Sequence, residues 1–174
     1  MFALRQLTTL EGKAEYDMLQ QIGGSEYGFT NEVNGMPYEE YRRWLVQQDD
    51  YSRAQNMPED WVPQTTYFFY ADGRPVGVAR IRHFSSERLE RQGVGNFGYG
   101  IARPHRGKGY GHALFLEVLE KCKAHGYERV KSFVYLDNAA SNRVFSTGNA
   151  RCLGVFDGVK NVYEVDLSKL PARV

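Results

Sequence analysis

The 174-residue chain carries only two cysteines, Cys122 and Cys152, too few for a disulfide framework and wrongly spaced for a zinc site. Its four histidines, His83, His105, His112 and His125, show no ligand pairing, so no metal is expected. No run of about 18 apolar residues occurs, and the opening segment MFALRQLTTLEGKAEYDM lacks a basic region followed by an apolar stretch. A membrane span and a secretory leader are therefore not expected, and a cytoplasmic protein is. Charge of one sign is also missing. The 22 Lys and Arg face 21 Asp and Glu, a net charge of +1, so no global field draws the chain to nucleic acid or to an anionic membrane.

Apolar types make up 42% and charged types 25% of the chain, the balance of a folded globular protein. The length fits one domain, taken as residues 1–174. Twelve Tyr, ten Phe and two Trp can fill a core and still line a groove. Strands are expected at 2–7, 65–70, 76–83, 96–101 and 129–136, the second and third joined through Asp72-Gly73. A closing hairpin, 153–156 with 161–165, turns at Asp157-Gly158. Helices are expected at 10–21, 38–48, 110–125 and 138–145, with 85–92 as a polar connection. On the longest helix Gly111, Phe115, Val118, Leu119 and Cys122 share a face, and Gly126 ends it. Hairpins flank a β-α-β middle, so the fold class is α/β of the α+β kind, with a mixed sheet.

Charge is uneven along the chain. Residues 103–131 hold seven basic and three acidic residues, whereas 26–60 hold three basic and eight acidic. The acidic stretch belongs to a long excursion, 25–63, that reads either as a binding flap or as a disordered loop. Its aromatics Tyr27, Phe29, Tyr38, Tyr41 and Trp44 favour the flap, and its carboxylates suit a cationic acceptor.

The segment NFGYGIARPHRGKGYGHAL, 96–114, carries the chemistry. A strand leads into a turn with glycines at 107, 109 and 111, the last at the start of the long helix. Glycines remove the Cβ atoms that would hold a ligand off, and free N–H groups at a helix start cradle phosphate oxygens. Arg106 and Lys108 supply counter-charge, so the turn reads as a pyrophosphate site; a plain helix-capping turn is the competing reading. A P-loop is excluded, because Lys108 is followed by Gly109 and residue 102 is Ala. Gly93-Val94-Gly95-Asn96-Phe97-Gly98 fits the dinucleotide pattern only by letters, since it precedes a strand.

These residues resemble the coenzyme A motif of the GNAT N-acetyltransferase superfamily: Arg or Gln, two residues, Gly, one residue, then Gly or Ala. Arg106, Gly109 and Gly111 match it. Gly98-Tyr99 and Arg103-Pro104 match the strand and turn that introduce it, and Asn138 and Ser141 in LDNAASNRVF resemble the short helix beside the cofactor's pantetheine arm. Together with VPQTTYFFYADGRPVG, the chain further resembles a branch of bacterial acetyltransferases. The resemblance implies a mostly antiparallel central sheet with a splayed pair of parallel strands, flanked by helices. It implies acetyl-CoA as co-substrate, without metal, and a primary amine of a small molecule or peptide as acceptor. Cofactor contacts would fall on Ile101, Ala102 and Arg103, on the turn residues Arg106, Gly107, Lys108, Gly109, Tyr110 and Gly111, and on Asn138 and Ser141. The thioester carbonyl would meet a backbone N–H near Gly100 or Ile101. A homodimer follows only from superfamily habit.

Two positions depart from the family pattern. Where many relatives place a tyrosine that protonates the leaving thiolate, this chain has Phe145. Where relatives often place a base on the strand before the turn, it has Asn96, which cannot titrate. Candidate catalytic positions are therefore Tyr135, Asn96 and Glu32, with Asp137 and His105 as further substitutes; packing is the competing reading for Tyr135. Asn138 also suits a helix N-cap. A non-catalytic acyl-CoA sensor is the alternative function, and a nucleic-acid binder is disfavoured by the near-zero net charge.

Overall fold

The computed structural model describes residues 1–170. Residues 171–174, the end of the expected domain, lie outside the described residues. The chain opens with β1 (Phe2–Gln6), α1 (Lys13–Gln20) and a miniature hairpin of β2 (Ser25–Glu26) and β3 (Phe29–Thr30). Then follow α2 (Tyr38–Ser52), β4 (Gln64–Ala71), β5 (Arg74–Arg82), α3 (Glu87–Arg91) and β6 (Phe97–Ile101). The second half holds α4 (Tyr110–Ala124), β7 (Arg129–Tyr135), α5 (Ala139–Thr147), β8 (Arg151–Phe156) and β9 (Lys160–Asp166).

Two sheets form, β1-β4-β5-β6 and β7-β9-β8, and every strand pairing within them is antiparallel. Strand β4 is buried at each of its eight residues, because both faces of its sheet are covered. Alternation sorts its side chains. Tyr67, Phe69 and Ala71 pack with Leu114, Phe115, Val118 and Leu119 of α4. Phe68 and Tyr70 pack with Met18, Leu19, Tyr41, Trp44 and Leu45 of α1 and α2. Each such buried side chain stabilises the fold by about 1.5–3 kcal/mol relative to exposure. The β4–β5 turn has Asp72 at φ +49° and Gly73 at φ +78°, the backbone that an Asp-Gly hairpin turn requires. A register shift between Phe69 and Tyr70, opposite Pro75, absorbs the proline that cannot donate to the ladder.

Several expected boundaries move by two to four residues, and one helix is added. Helix α1 starts at Lys13, not at residue 10, because Gly12 donates its N–H to Glu15 Oε2 in a capping arrangement. Helix α2 runs one turn past residue 48 to Ser52. The polar connection contains the short helix α3, braced by the Arg91–Glu87 pair. The excursion is an ordered flap: buried Asn31 donates to Leu19 O at 2.7 Å and Ile22 O at 2.8 Å.

The two sheets touch where β6 and β7 begin. Asn96 N–H donates to Lys131 O at 2.9 Å, and Lys131 N–H to Asn96 Oδ1 at 2.6 Å. A Cβ on Gly95 would stand 2.4 Å from Lys131 O, so this approach requires glycine. Beyond that stitch the strands part and run on together as the two walls of one cleft, which is the splayed pair.

Candidate active site

After β6 the chain makes a single 3-10 turn, Arg103–His105, and enters α4 through Gly107 at φ +73° and Gly109 at φ +80°. Nothing lies within 4 Å of a Cβ at either position, so their need for glycine is conformational and the space above them is open. Ala113 is the first residue of α4 whose N–H finds a main-chain acceptor, Gly109 O at 3.2 Å. Among the described residues the N–H groups of 107–112 have none. These donors, at the positive end of a 15-residue helix, form an anion cradle that fits a pyrophosphate.

The flanking bases are already engaged. Arg106 Nε donates to Ile101 O at 2.8 Å, and its NH2 group pairs with Glu26. Arg103 reaches the same carboxylate at 3.2 Å, and Lys108 Nζ donates to Pro104 O at 2.9 Å. Burial pushes the Glu26 carboxyl up, but the Arg106 bond and charge, the Gly23 N–H and Arg103 together hold it below the ordinary carboxylate range. Glu26, unnoticed in the sequence, ties the flap to the turn.

The cleft between β6 and β7 has a volume of about 210 Å³. On the α4 and α5 side it is lined by Tyr99, Ser132, Asn138, Ser141 and Phe145. On the opposite side it is lined by Glu26, Phe29, Gln64, Arg80, Arg82, Tyr135 and Lys160. Asn138 caps α5, its Oδ1 accepting the Ser141 N–H at 3.1 Å. Phe145 is buried and stacks on Tyr163 at 4.9 Å and Phe97 at 6.0 Å, so that position is a packing centre with no proton to give. The Tyr99 hydroxyl is buried without a hydrogen-bond partner. Burial pushes its pKa up to about 12, and the neighbouring Ser141 hydroxyl, which makes no hydrogen bond of proper geometry with it, pulls the other way. Arg80 Nε is likewise buried and unpartnered. Orphaned buried polar atoms are rare in folded proteins, and two cleft-lining residues carry one each.

Ala102 N–H donates to Val76 O at 3.0 Å. By the alternation of an antiparallel pair, the Gly98 and Gly100 N–H groups also point at β5, while those of Tyr99 and Ile101 face the cleft. Of the two expected carbonyl binders, Ile101 has the free N–H.

Tyr135 lines the cleft, with Lys160 Nζ 4.8 Å above its ring. Glu32 does not line it; its carboxylate accepts from Trp44 Nε1 at 2.8 Å and lies 3.9 Å from Arg80. Asn96 is buried outside the cleft, and its amide also donates to Ser85 Oγ at 2.7 Å, so it stitches the strands. His105 sits on the turn, 6.1 Å from the Tyr110 ring, its pKa lowered by burial and then by Lys108 and Arg74. The acidic excursion does not build a cation site. Of its carboxylates only Glu26 reaches the cleft, while Asp49 and Asp50 pair with Arg53, and Asp60 with Arg88. Arg80 and Arg82 were missed as site residues; the signal was two cations in the second half of the strand RPVGVARIR, which also opens on Arg74.

Two antiparallel sheets parted between β6 and β7, with a run of N–H groups at the adjoining helix start that lack a main-chain acceptor among the described residues, define a coenzyme A-dependent acyltransferase architecture. The acetyltransferase (GNAT) family profile matches residues 32–148, and the chain belongs to that family. It is an acetyl-CoA-dependent N-acetyltransferase. By sequence, no curated protein matches it. Among solved structures it is similar to Mycobacterium smegmatis RimJ in complex with CoA-disulfide, at 17% identity, TM-score 0.69, and coverage of 98% of this chain and 84% of that one. Campylobacter jejuni N-acetyltransferase PseH, in complex with acetyl coenzyme A, gives 14%, 0.62, 95% and 99%. The spermidine/spermine N-acetyltransferase SpeG from Vibrio cholerae gives 12%, 0.63, 97% and 96%. These likenesses establish the fold. Among the described residues no cluster of His, Cys, Asp or Glu could hold a metal ion, and no helix is long and apolar enough to cross a membrane.

Proposed function

We infer that this N-acetyltransferase moves the acetyl group directly to a primary amine of a small molecule or peptide, with the reaction centre in the β6–β7 cleft. The observation that carries this reading is the pair of orphaned polar atoms, Tyr99 Oη and Arg80 Nε, on residues lining one slot. The co-substrate, when bound, supplies the acetyl group as an activated thioester. The N–H groups of 107–112 hold the diphosphate, and Arg103, Arg106, Lys108, Ile101, Ala102 and Tyr110 flank it. Asn138 and Ser141 flank the pantetheine arm. The Ile101 N–H polarises the thioester carbonyl where negative charge develops. Tyr99, protonated at neutral pH, holds a proton at Oη for the departing sulfur and takes the role that Phe145 cannot. Tyr135 is proposed to orient the attacking amine, whose proton passes to solvent as the amide forms, and Glu32 orients Arg80.

Spermidine/spermine acetylation by the neighbour SpeG supports amines as the acceptor class. The test is thiol release from acetyl-CoA across an amine panel, repeated with Gly109→Trp. Release that needs an amine and is lost in the variant supports the reading; release that survives the bulky insertion overturns the assigned cradle. Tight cofactor binding with no release for any amine would favour a sensor. The two unpaired cysteines, Cys122 buried and Cys152 exposed, fit a reducing cytoplasm. A homodimer through the edge strand β8, where Leu153 and Val155 are exposed, is tested by sedimentation.

A further inference from the structure

The cleft face opposite α4 and α5 is cationic. Arg80 and Arg82 are two residues apart on β5, so both leave the same face of the sheet. Only 13% of the Arg80 side chain is exposed. Its NH1 donates to Thr30 O at 2.9 Å, its Nε has no acceptor, and the nearest carboxylate, Glu32 at 3.9 Å, is held by the Trp44 indole. Arg82 donates to Gly95 O at 2.8 Å and has no ion-pair partner among the described residues. Lys160 comes from β9, donates to Gly93 O at 3.1 Å, and has none either. Glu26, the one carboxylate in the lining, is turned to Arg103 and Arg106.

Carbonyl oxygens satisfy donors but do not neutralise charge. Burying two guanidinium groups side by side with a single distant carboxylate, Glu32 at 3.9 Å from Arg80, is unfavourable. Burial lowers the pKa of both arginines; Glu32 opposes this at Arg80, while at Arg82 the charge of Arg80 adds to it and Tyr127 opposes it. Such an arrangement is stabilised when a ligand brings the missing negative charge.

We propose that Arg80, Arg82 and Lys160 form an anion subsite for a carboxylate on the acceptor, which makes the substrate class amino acids and close derivatives with a free amine. The proposal rests on the acetyl-transfer reading of the same cleft. A guanidinium fork matches a carboxylate. The volume of about 210 Å³, shared with the thioester end, accommodates an acceptor of amino-acid size.

The experiment compares thiol release for amino acids with that for their carboxamides and with phosphate-bearing amines of similar size. The acid form is expected to exceed its amide in kcat/KM by about tenfold or more, the equivalent of one charge-assisted hydrogen bond. Arg82→Gln should raise KM for the acid and erase the preference, with KM for acetyl-CoA unchanged, and Arg82→Lys should restore part of it. Binding is read independently of turnover with N-acetyl amino acids, which should raise the Tm of the wild type and of Arg82→Lys but not of Arg82→Gln. Amides equal to acids, a preference for phosphate, or a Tm shift that persists in Arg82→Gln would overturn the subsite. Acetylation of amines regardless of a carboxylate sinks the subsite and leaves acetyl transfer standing. Binding of N-acetyl amino acids without any thiol release does the reverse.

Discussion

Asn96 holds Lys131 by both of its main-chain groups, giving its own N–H to the carbonyl at 2.9 Å and accepting the Lys131 N–H on Oδ1 at 2.6 Å. The side chain replaces the carbonyl that a continuing strand would have offered, so pairing stops there and the cleft begins. Asn96→Ala leaves a donor without its partner and should destabilise the fold by about 1–3 kcal/mol in urea titration. The shape of the pH dependence of kcat should stay the same. A displaced limb would return Asn96 to proton transfer.

Tyr99→Phe removes a buried hydroxyl that has no partner. Stability should hold or rise, since a desolvation penalty disappears. Turnover should fall by about a hundredfold or more, the usual contribution of a positioned general acid, with KM for acetyl-CoA little changed. Unaltered turnover would place the proton donor elsewhere.

Gly109 and Gly126 share a left-handed backbone, φ +80° and +88°, and neither has an atom within 4 Å of an added Cβ. Alanine at either should cost about 1–2 kcal/mol of stability. Only Gly109→Ala should also raise KM for acetyl-CoA, because only that Cβ stands over the N–H cradle. Equal KM values in the two variants would remove the cradle from the cofactor site.

Glu26 pairs with Arg103 and Arg106, and on the proposed cofactor site it would compete with an incoming diphosphate for them. Glu26→Gln should therefore tighten coenzyme A binding in calorimetry, most visibly at low salt. Stability has the opposite sign. Because the folded pKa is depressed, the wild-type carboxylate contributes above its unfolded pKa of about 4.3 and loses that contribution as pH falls through the lower folded value. The Tm gap between wild type and variant should close in that acid range.

His83 and His125 stack at 4.9 Å, hydrogen-bonded to Thr65 at 2.8 Å and Tyr67 at 2.9 Å. Burial lowers both pKa values, helped at His83 by His125 and at His125 by Lys121. The unfolded chain then binds more protons, so stability rises with pH between the folded values and about 6.5 and is level above. Tm should drop as pH falls below about 6.5, and His83→Gln should flatten that drop. An identical slope in the variant would locate the titration elsewhere.

The elements were legible where local chemistry decides. Two Asp-Gly turns marked two hairpins, and the apolar spacing of α4 named four residues of its buried face, Phe115, Val118, Leu119 and Cys122. The glycine turn at the start of α4 was legible too, because Gly107, Gly109 and that helix start are neighbours in sequence. Helix α3 was hidden by its brevity and polarity. The other face of the cleft was hidden by distance along the chain: Glu26 meets Arg106 across 80 positions, and nothing near residue 26 signals that partner. Arg80 and Arg82 were visible as charges within a strand, but only the fold shows that both line one cleft and that the carboxylate nearest Arg80 is the distant Glu32.

The parted strands bring side chains from both faces of the sheet, Tyr99 and Ser141 on one and Arg80 and Tyr135 on the other, to a single cleft. On the proposed reading donor and acceptor meet there from those two sides. Initial-velocity plots should intersect, and each spent product can depart without displacing the other, so turnover has no built-in queue.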